Sequence, residues 1–256
     1  MEEYFNRTRT QNETRKSLRL VTTSLEPEEL LKAKPDNSLS TGLTIDNIIN
    51  KLTSDGSAVS VNIGNILEAL AVKKVGFLIP DFNITDSYVT LTGYTVFKNS
   101  KSIGKFSAED SKGMVCFLNP NASFVYDVYI DNRKYNATVH LKKKTIKPIY
   151  TNGRLDLNIN MNFTAELNYA DKAYIPDNNE ISRIQLTLSE TIKKDIVQAL
   201  EVSQNRFKSD YLGIYRYFRG NYNSDFKTLN WEQIYTQADN IVQTEVEITN
   251  SNLPQN

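Results

Sequence analysis

Histidine and cysteine occur once each among 256 residues, as His140 and Cys116. A single cysteine excludes an internal disulfide, so no covalent staple holds the fold, and one residue of each type makes no tetrahedral Cys/His metal site without several carboxylates. A lone histidine with neither a nucleophile motif nor a spaced partner also lacks the usual acid-base constellation. Net charge is missing too. Lys plus Arg and Asp plus Glu both number 30, so no global field recruits nucleic acid or an anionic surface, and a partner must be recognised locally. The ten glycines are scattered, and none falls into the spacing of a phosphate-cradling loop, which leaves nucleotide cofactors unsupported. No apolar run approaches the ~18 residues of a membrane span. The opening Met1-Glu-Glu-Tyr-Phe-Asn-Arg-Thr-Arg9 lacks the apolar core of a secretory signal.

What is present reads as a folded, polar-skinned α+β protein. Hydrophobic residues at 39% and charged residues at 23% place it among globular chains rather than disordered ones. The length allows two domains, each expected to be a β-sheet packed by helices. Residues 1–35, with a strand-like Leu18–Val21 and a helix-like Glu28–Lys32, read as the remnant of a preceding domain and linker. Residues 36–120 read as a small α+β middle domain. Thr44 is its expected N-cap, with Ile45, Ile48, Ile49 and Leu52 at helical spacing. A short helix over Ile63–Leu70 follows, and then an apolar run, Val75–Pro80, that Pro80 is expected to end. Next come a hairpin, Tyr88–Phe97 with Ser102–Phe106, and a helix opened by the Ser107/Asp110 pair.

Residues 121–256 read as a C-terminal α+β domain, an antiparallel meander covered by one long helix. Strands are expected around Phe124–Ile130, Ala137–Lys147 and Leu155–Tyr169. Leu155, Leu157, Ile159, Met161, Phe163, Ala165, Leu167 and Tyr169 alternate with polar residues, the mark of a sheet with one buried and one wet face. The helix is expected over about 178–219, with Ile181, Ile184, Leu188, Ile192, Ile196 and Leu200 covering that buried face. Its apolar stripe continues through Phe207, Tyr211, Ile214 and Phe218.

Candidate chemistry is thin. His140 is expected on a wet strand face and Cys116 as a buried, inert thiol. Acidic pairs such as Glu109-Asp110 sit in first helical turns, where carboxylates favour the helix dipole. Lys142-Lys-Lys144 reads as a solvated strand edge that discourages aggregation. Arg216 and Arg219, interleaved with Tyr215, Tyr217, Phe218 and Tyr222, suit packed aromatics with snorkelling arginines better than single-stranded nucleic acid. Gly213 inside a helix is expected where another element crosses closely or the helix bends. Trp231, opening a helix after Asn230, is expected to anchor its segment on the core, with a subunit interface as the alternative. No catalytic residue, metal ligand or cofactor site is expected, and Arg216, Arg219 and Trp231 are the partner-binding candidates.

Two separated regions resemble the Ger(x)C family, the C subunits of spore germinant receptors. One is Leu91-Thr-Gly-Tyr-Thr-Val-Phe97 with Ile103-Gly-Lys-Phe106 and Glu109-Asp-Ser-Lys-Gly113. The other is Asp210-Tyr-Leu-Gly213 with Trp231 and the terminal Glu245-Val-Glu-Ile248. This chain has Leu212-Gly-Ile-Tyr215 where the family usually carries Phe-Gly-Phe-Gly. The resemblance implies a non-enzymatic interaction subunit in nutrient-triggered germination, on the outer face of the inner spore membrane. It implies membrane-embedded A- and B-type subunits as partners, no nucleic acid, and a lipoprotein anchor in a segment preceding this chain. Germinant binding by this subunit is the alternative, and a carboxylate-dependent hydrolase a more distant one.

Overall fold

The computed structural model describes residues 17–32, 40–86, 88–170 and 176–251. The expected linker between Lys34 and Ser40 falls, except for Ser40, outside them, as does the Tyr169 side chain. Among the described residues two sheets carry the fold. The first is antiparallel, in the order β1 (Gly76–Thr85), β2 (Tyr88–Lys98), β3 (Lys101–Ser107). The second runs β4 (Ser123–Ile130), β5 (Arg133–Thr151), β6 (Arg154–Ala170), β7 (Asp239–Ser251). Its first three strands form the expected meander. β7 joins β6 in parallel, because the chain returns to the same end of the sheet through helices rather than a tight turn. The hairpins turn on residues with left-handed φ, Asn99-Ser100, Asp131-Asn132 and Asn152-Gly153, as two-residue connections require.

Helices α1 (Pro27–Lys32), α2 (Thr41–Ser54) and α3 (Ile63–Val72) precede the first sheet. α2 starts earlier than expected. Ser40 is extended and its Oγ accepts from Leu43 N, whereas Thr44 lies one turn inside and bonds back to the Ser40 carbonyl. β1 runs on through Pro80, where an end was expected. Pro80 sits on the edge away from β2: its carbonyl accepts from Thr22 N at 2.9 Å, so the missing N–H costs no ladder bond.

Between the sheets, Ser107 caps a short turn that leads into α4 (Lys112–Leu118), its Oγ accepting from Asp110 N at 3.1 Å. α4 crosses the long helix α5 (Asn178–Glu201) closely at Gly113, where a Cβ would stand 2.0 Å from the Asp195 carbonyl oxygen. α5 lies on the second sheet as the periodicity predicts. Ile184, Leu188, Ile192, Ile196 and Leu200 are buried against Leu155, Leu157, Ile159, Met161, Phe163, Ala165 and Leu167. Each of these side chains other than Ala165 contributes about 1.5–3 kcal/mol on full burial. The same apolar cluster extends into the first sheet through Phe77, Tyr94, Val96 and Phe97.

The expected continuous helix over 178–219 is corrected. α5 ends at Glu201, a π-helical turn spans Val202–Arg206, and the chain leaves the helical path before α6 (Ile214–Asn221). Two polar residues in the stripe decide this. Ser203 Oγ lies 2.7 Å from Tyr235 Oη and donates to Ser209 O, and Gln204 Nε2 donates to Tyr235 O at 2.9 Å. Buried polar groups need partners, and the returning C-terminal segment supplies them. α7 (Asn223–Thr228) and α8 (Trp231–Thr236) then lead into β7.

Candidate functional site

Two of the expected partner-binding residues, Arg216 and Trp231, meet a corner built around Asp210, while Arg219 lies exposed one turn further along α6. Asp210 is fully buried and its backbone carbonyl accepts from Gly76 N, which opens β1. Its side chain closes the start of α6: Oδ1 accepts from Ile214 N at 3.1 Å and Oδ2 from Tyr215 N at 2.7 Å. Trp231 Nε1 donates to the same Oδ2 at 3.2 Å. Burial pushes the carboxyl up to about 6 against the opposing pull of these N–H groups. Gly213 supplies the turn. Its φ of 77° is left-handed, and a Cβ there would meet nothing nearer than 3.5 Å, so backbone conformation and not a close crossing demands glycine.

Trp231 is 0% exposed and packs on Phe218, Phe226 and Tyr235, so it anchors the core and offers no surface to a partner. Arg216 and Arg219 are on the surface. Arg216 clamps Glu68 of α3, from Nε to Oε1 at 3.3 Å and from Nη2 to Oε2 at 3.1 Å, and Tyr215 Oη donates to the same carboxylate. Arg219 has no ion pair among the described residues. Beside Arg216 a cleft of about 150 Å³ opens between β1, α3 and the turn before α6. Sequence reasoning missed Asp210 as the organiser of this corner, because the N-cap position is held by Gly213 and Asp210 reaches the first helical N–H groups from three residues upstream, outside the usual capping pattern. It also missed Glu68, which nothing in its own segment ties to residue 216.

The other candidates lie elsewhere. His140 is exposed on β5, away from the corner. Cys116 is buried in α4, and burial pushes its thiol up to about 12, which makes it a packing residue at neutral pH. The lysine run is corrected in part. Lys142 and Lys143 are solvated, but Lys144 is half-buried and its Nζ donates to the Cys116 and Phe117 carbonyls, closing the C-terminus of α4. Among the described residues no group of three or more His, Cys, Asp or Glu is placed to hold a metal ion, and no helix is long and apolar enough to cross a membrane.

A family model described as spore germination B3/GerAC-like, C-terminal, matches residues 92–252, more than half of the chain. The chain belongs to the Ger(x)C family. The matched span of this Ger(x)C protein takes in most of the β2–β3 hairpin, α4, the whole second sheet and, of the Asp210 corner, Asp210, Gly213 and Trp231. Its fold is also that of the solved GerBC protein, with a TM-score of 0.76 at 15% identity over 97% of this chain and 74% of the other. At that identity the likeness bears on the fold. A search of the curated proteins finds no match.

Proposed function

We propose that this Ger(x)C protein is a non-enzymatic subunit of a spore germinant receptor, an interaction module on the outer face of the inner spore membrane. In this reading the membrane-embedded A- and B-type subunits are its partners, and a lipid anchor holds it at the membrane. The observation that carries the reading is the family match over residues 92–252. The Asp210 corner supports it, since its buried carboxyl is spent on the start of α6 and on Trp231, and its backbone carbonyl on the first residue of β1. The partner-facing candidates are Arg216 and Arg219, while Trp231 acts through the fold. Spores lacking the protein test the proposal. Nutrient-triggered germination is expected to fail and to return with the wild-type gene; spores that respond normally to every nutrient without it would refute the reading.

A further inference from the structure

The margins of the two sheets are β1, β3, β4 and β7. An open margin is a row of unpaired N–H and C=O groups that invites another strand, and folded chains ordinarily block it. Three of these margins are blocked. On β1, Thr22 N donates to the Pro80 carbonyl at 2.9 Å and Phe82 N to the Thr22 carbonyl at 2.8 Å. β3 is short and carries Lys101 and Lys105, and Arg206 Nη2 donates to the Lys105 carbonyl. β7 is tied to α5: Ser189 Oγ donates to the Thr244 carbonyl at 2.7 Å, and Gln185 Oε1 accepts from Ile248 N at 3.1 Å. β4 has none of these devices along most of its length. It runs Ser-Phe-Val-Tyr-Asp-Val-Tyr-Ile with no proline, no lysine and no register shift against β5. Its first N–H, at Ser123, donates to the Gly56 carbonyl, whereas the preceding Ala122 carbonyl accepts from Leu141 N on the β5 side. Backbone groups alternate sides along a strand, so those of Val125, Asp127 and Tyr129 point away from β5. Among the described residues no hydrogen bond from outside the sheet reaches them. The side chains of this stretch are open too, Val125 being 54% and Tyr129 64% exposed.

We infer that β4 pairs antiparallel with the β4 of a second copy of this chain, about a two-fold axis at Val128, so that the second sheet continues across both copies. Such a contact is isologous, and one strand supplies both sides of it. Sterics and charge choose the register. A centre at Tyr126 would set Tyr129 against Ser123, whose edge the Gly56 turn already occupies. A centre at Asp127 would set carboxylate against carboxylate, and like charges directly opposite destabilise a sheet. Centred on Val128, Asp127 of each copy lies opposite Tyr129 of the other, and each of these pairs exchanges both of its backbone hydrogen bonds. Asp127 keeps its ion pair with Lys134 at 2.9 Å and its bond from Asn136 at 2.8 Å. Tyr129 then lies diagonal to Val125 of the other copy, within reach of an aromatic ring, which covers both exposed apolar side chains. The pairing stands apart from the receptor reading, since it needs the purified chain alone.

Sedimentation velocity of the full 256-residue chain over a concentration series tests it, with amide hydrogen exchange as the local readout. A reversible monomer–dimer equilibrium is expected, in which the N–H groups of Asp127 and Tyr129 gain protection as the dimer fills. Val125→Lys and Tyr129→Lys place the usual protective charge on the edge. Each is expected to weaken the dimer about tenfold or more with circular dichroism unchanged, whereas Leu186→Lys, at an exposed residue of α5, leaves it intact. A chain that stays monomeric at every concentration, whether or not another protein's strand occupies β4, would overturn the inference. So would a dimer indifferent to both β4 lysines, or one that forms without protecting Asp127 and Tyr129.

Discussion

Asp210 makes stability depend on pH in an unusual direction. Most carboxylates in folded proteins are held below their unfolded values and lose stability on acidification; Asp210 goes from 3.8 to about 6 because burial outweighs its hydrogen bonds. It therefore binds its proton more tightly in the folded chain than in the unfolded one. Its contribution is fully favourable below 3.8, is lost as pH rises through 6, and amounts to about 3 kcal/mol between the two limits, at 1.36 kcal/mol per pH unit. From about pH 7 to about pH 4.5 the recoverable part is about 2 kcal/mol. Asp210→Asn removes the titration and leaves an amide among three N–H donors, which destabilises the chain at every pH. Urea denaturation of both proteins across this range gives the difference between them. That difference is expected to grow by about 2 kcal/mol in favour of the parent as pH falls. Parallel curves, or a difference that shrinks on acidification, would refute the assignment of a buried, proton-hungry carboxyl at this corner.

Gly213→Ala tests whether conformation rather than space fixes that glycine: with room for a Cβ but φ at 77°, a loss of about 1–2 kcal/mol is expected in denaturant unfolding, less for Gly213→Asn. Lys144→Met, which frees the last carbonyls of α4, is expected to lower stability by about 1–2 kcal/mol, while Lys143→Met stays within about 0.5 kcal/mol in the same assay. Cys116 is expected to resist a disulfide-exchange reagent at neutral pH in the native chain and to react at once in denaturant, because burial holds its thiol at about 12.

The second sheet and its helix were legible because their signals are periodic. Strict alternation in β6 and the three- and four-residue steps of α5 fix which faces meet, whatever the rest of the chain does. The end of α5 was not legible. The apolar stripe runs on through Phe207, Tyr211, Ile214 and Phe218, all of them buried, and the partners that Ser203 and Gln204 find where the helix breaks include Tyr235, more than thirty residues later. Pro80 misled for a related reason: a proline ends a strand only where its N–H is needed, and the neighbour that leaves this edge harmless, Thr22, is remote in sequence. The candidate site was half legible. Arg216 and Trp231 fall near one corner, but Trp231 serves its interior, Arg219 is simply exposed on α6, and the Glu68 that fixes Arg216 comes from α3.

The central claim is membership of a membrane receptor complex, and affinity capture from detergent-solubilised inner membranes of spores tests it most directly. Full-length tagged protein is expected to recover membrane-embedded A- and B-type receptor subunits in a fixed ratio. Charge reversal at the exposed Arg219 is expected to weaken that recovery without unfolding the chain, a cleaner probe than Trp231→Ala, which opens the core. Recovery of the protein alone, under conditions in which the membrane subunits stay associated with each other, would contradict the account.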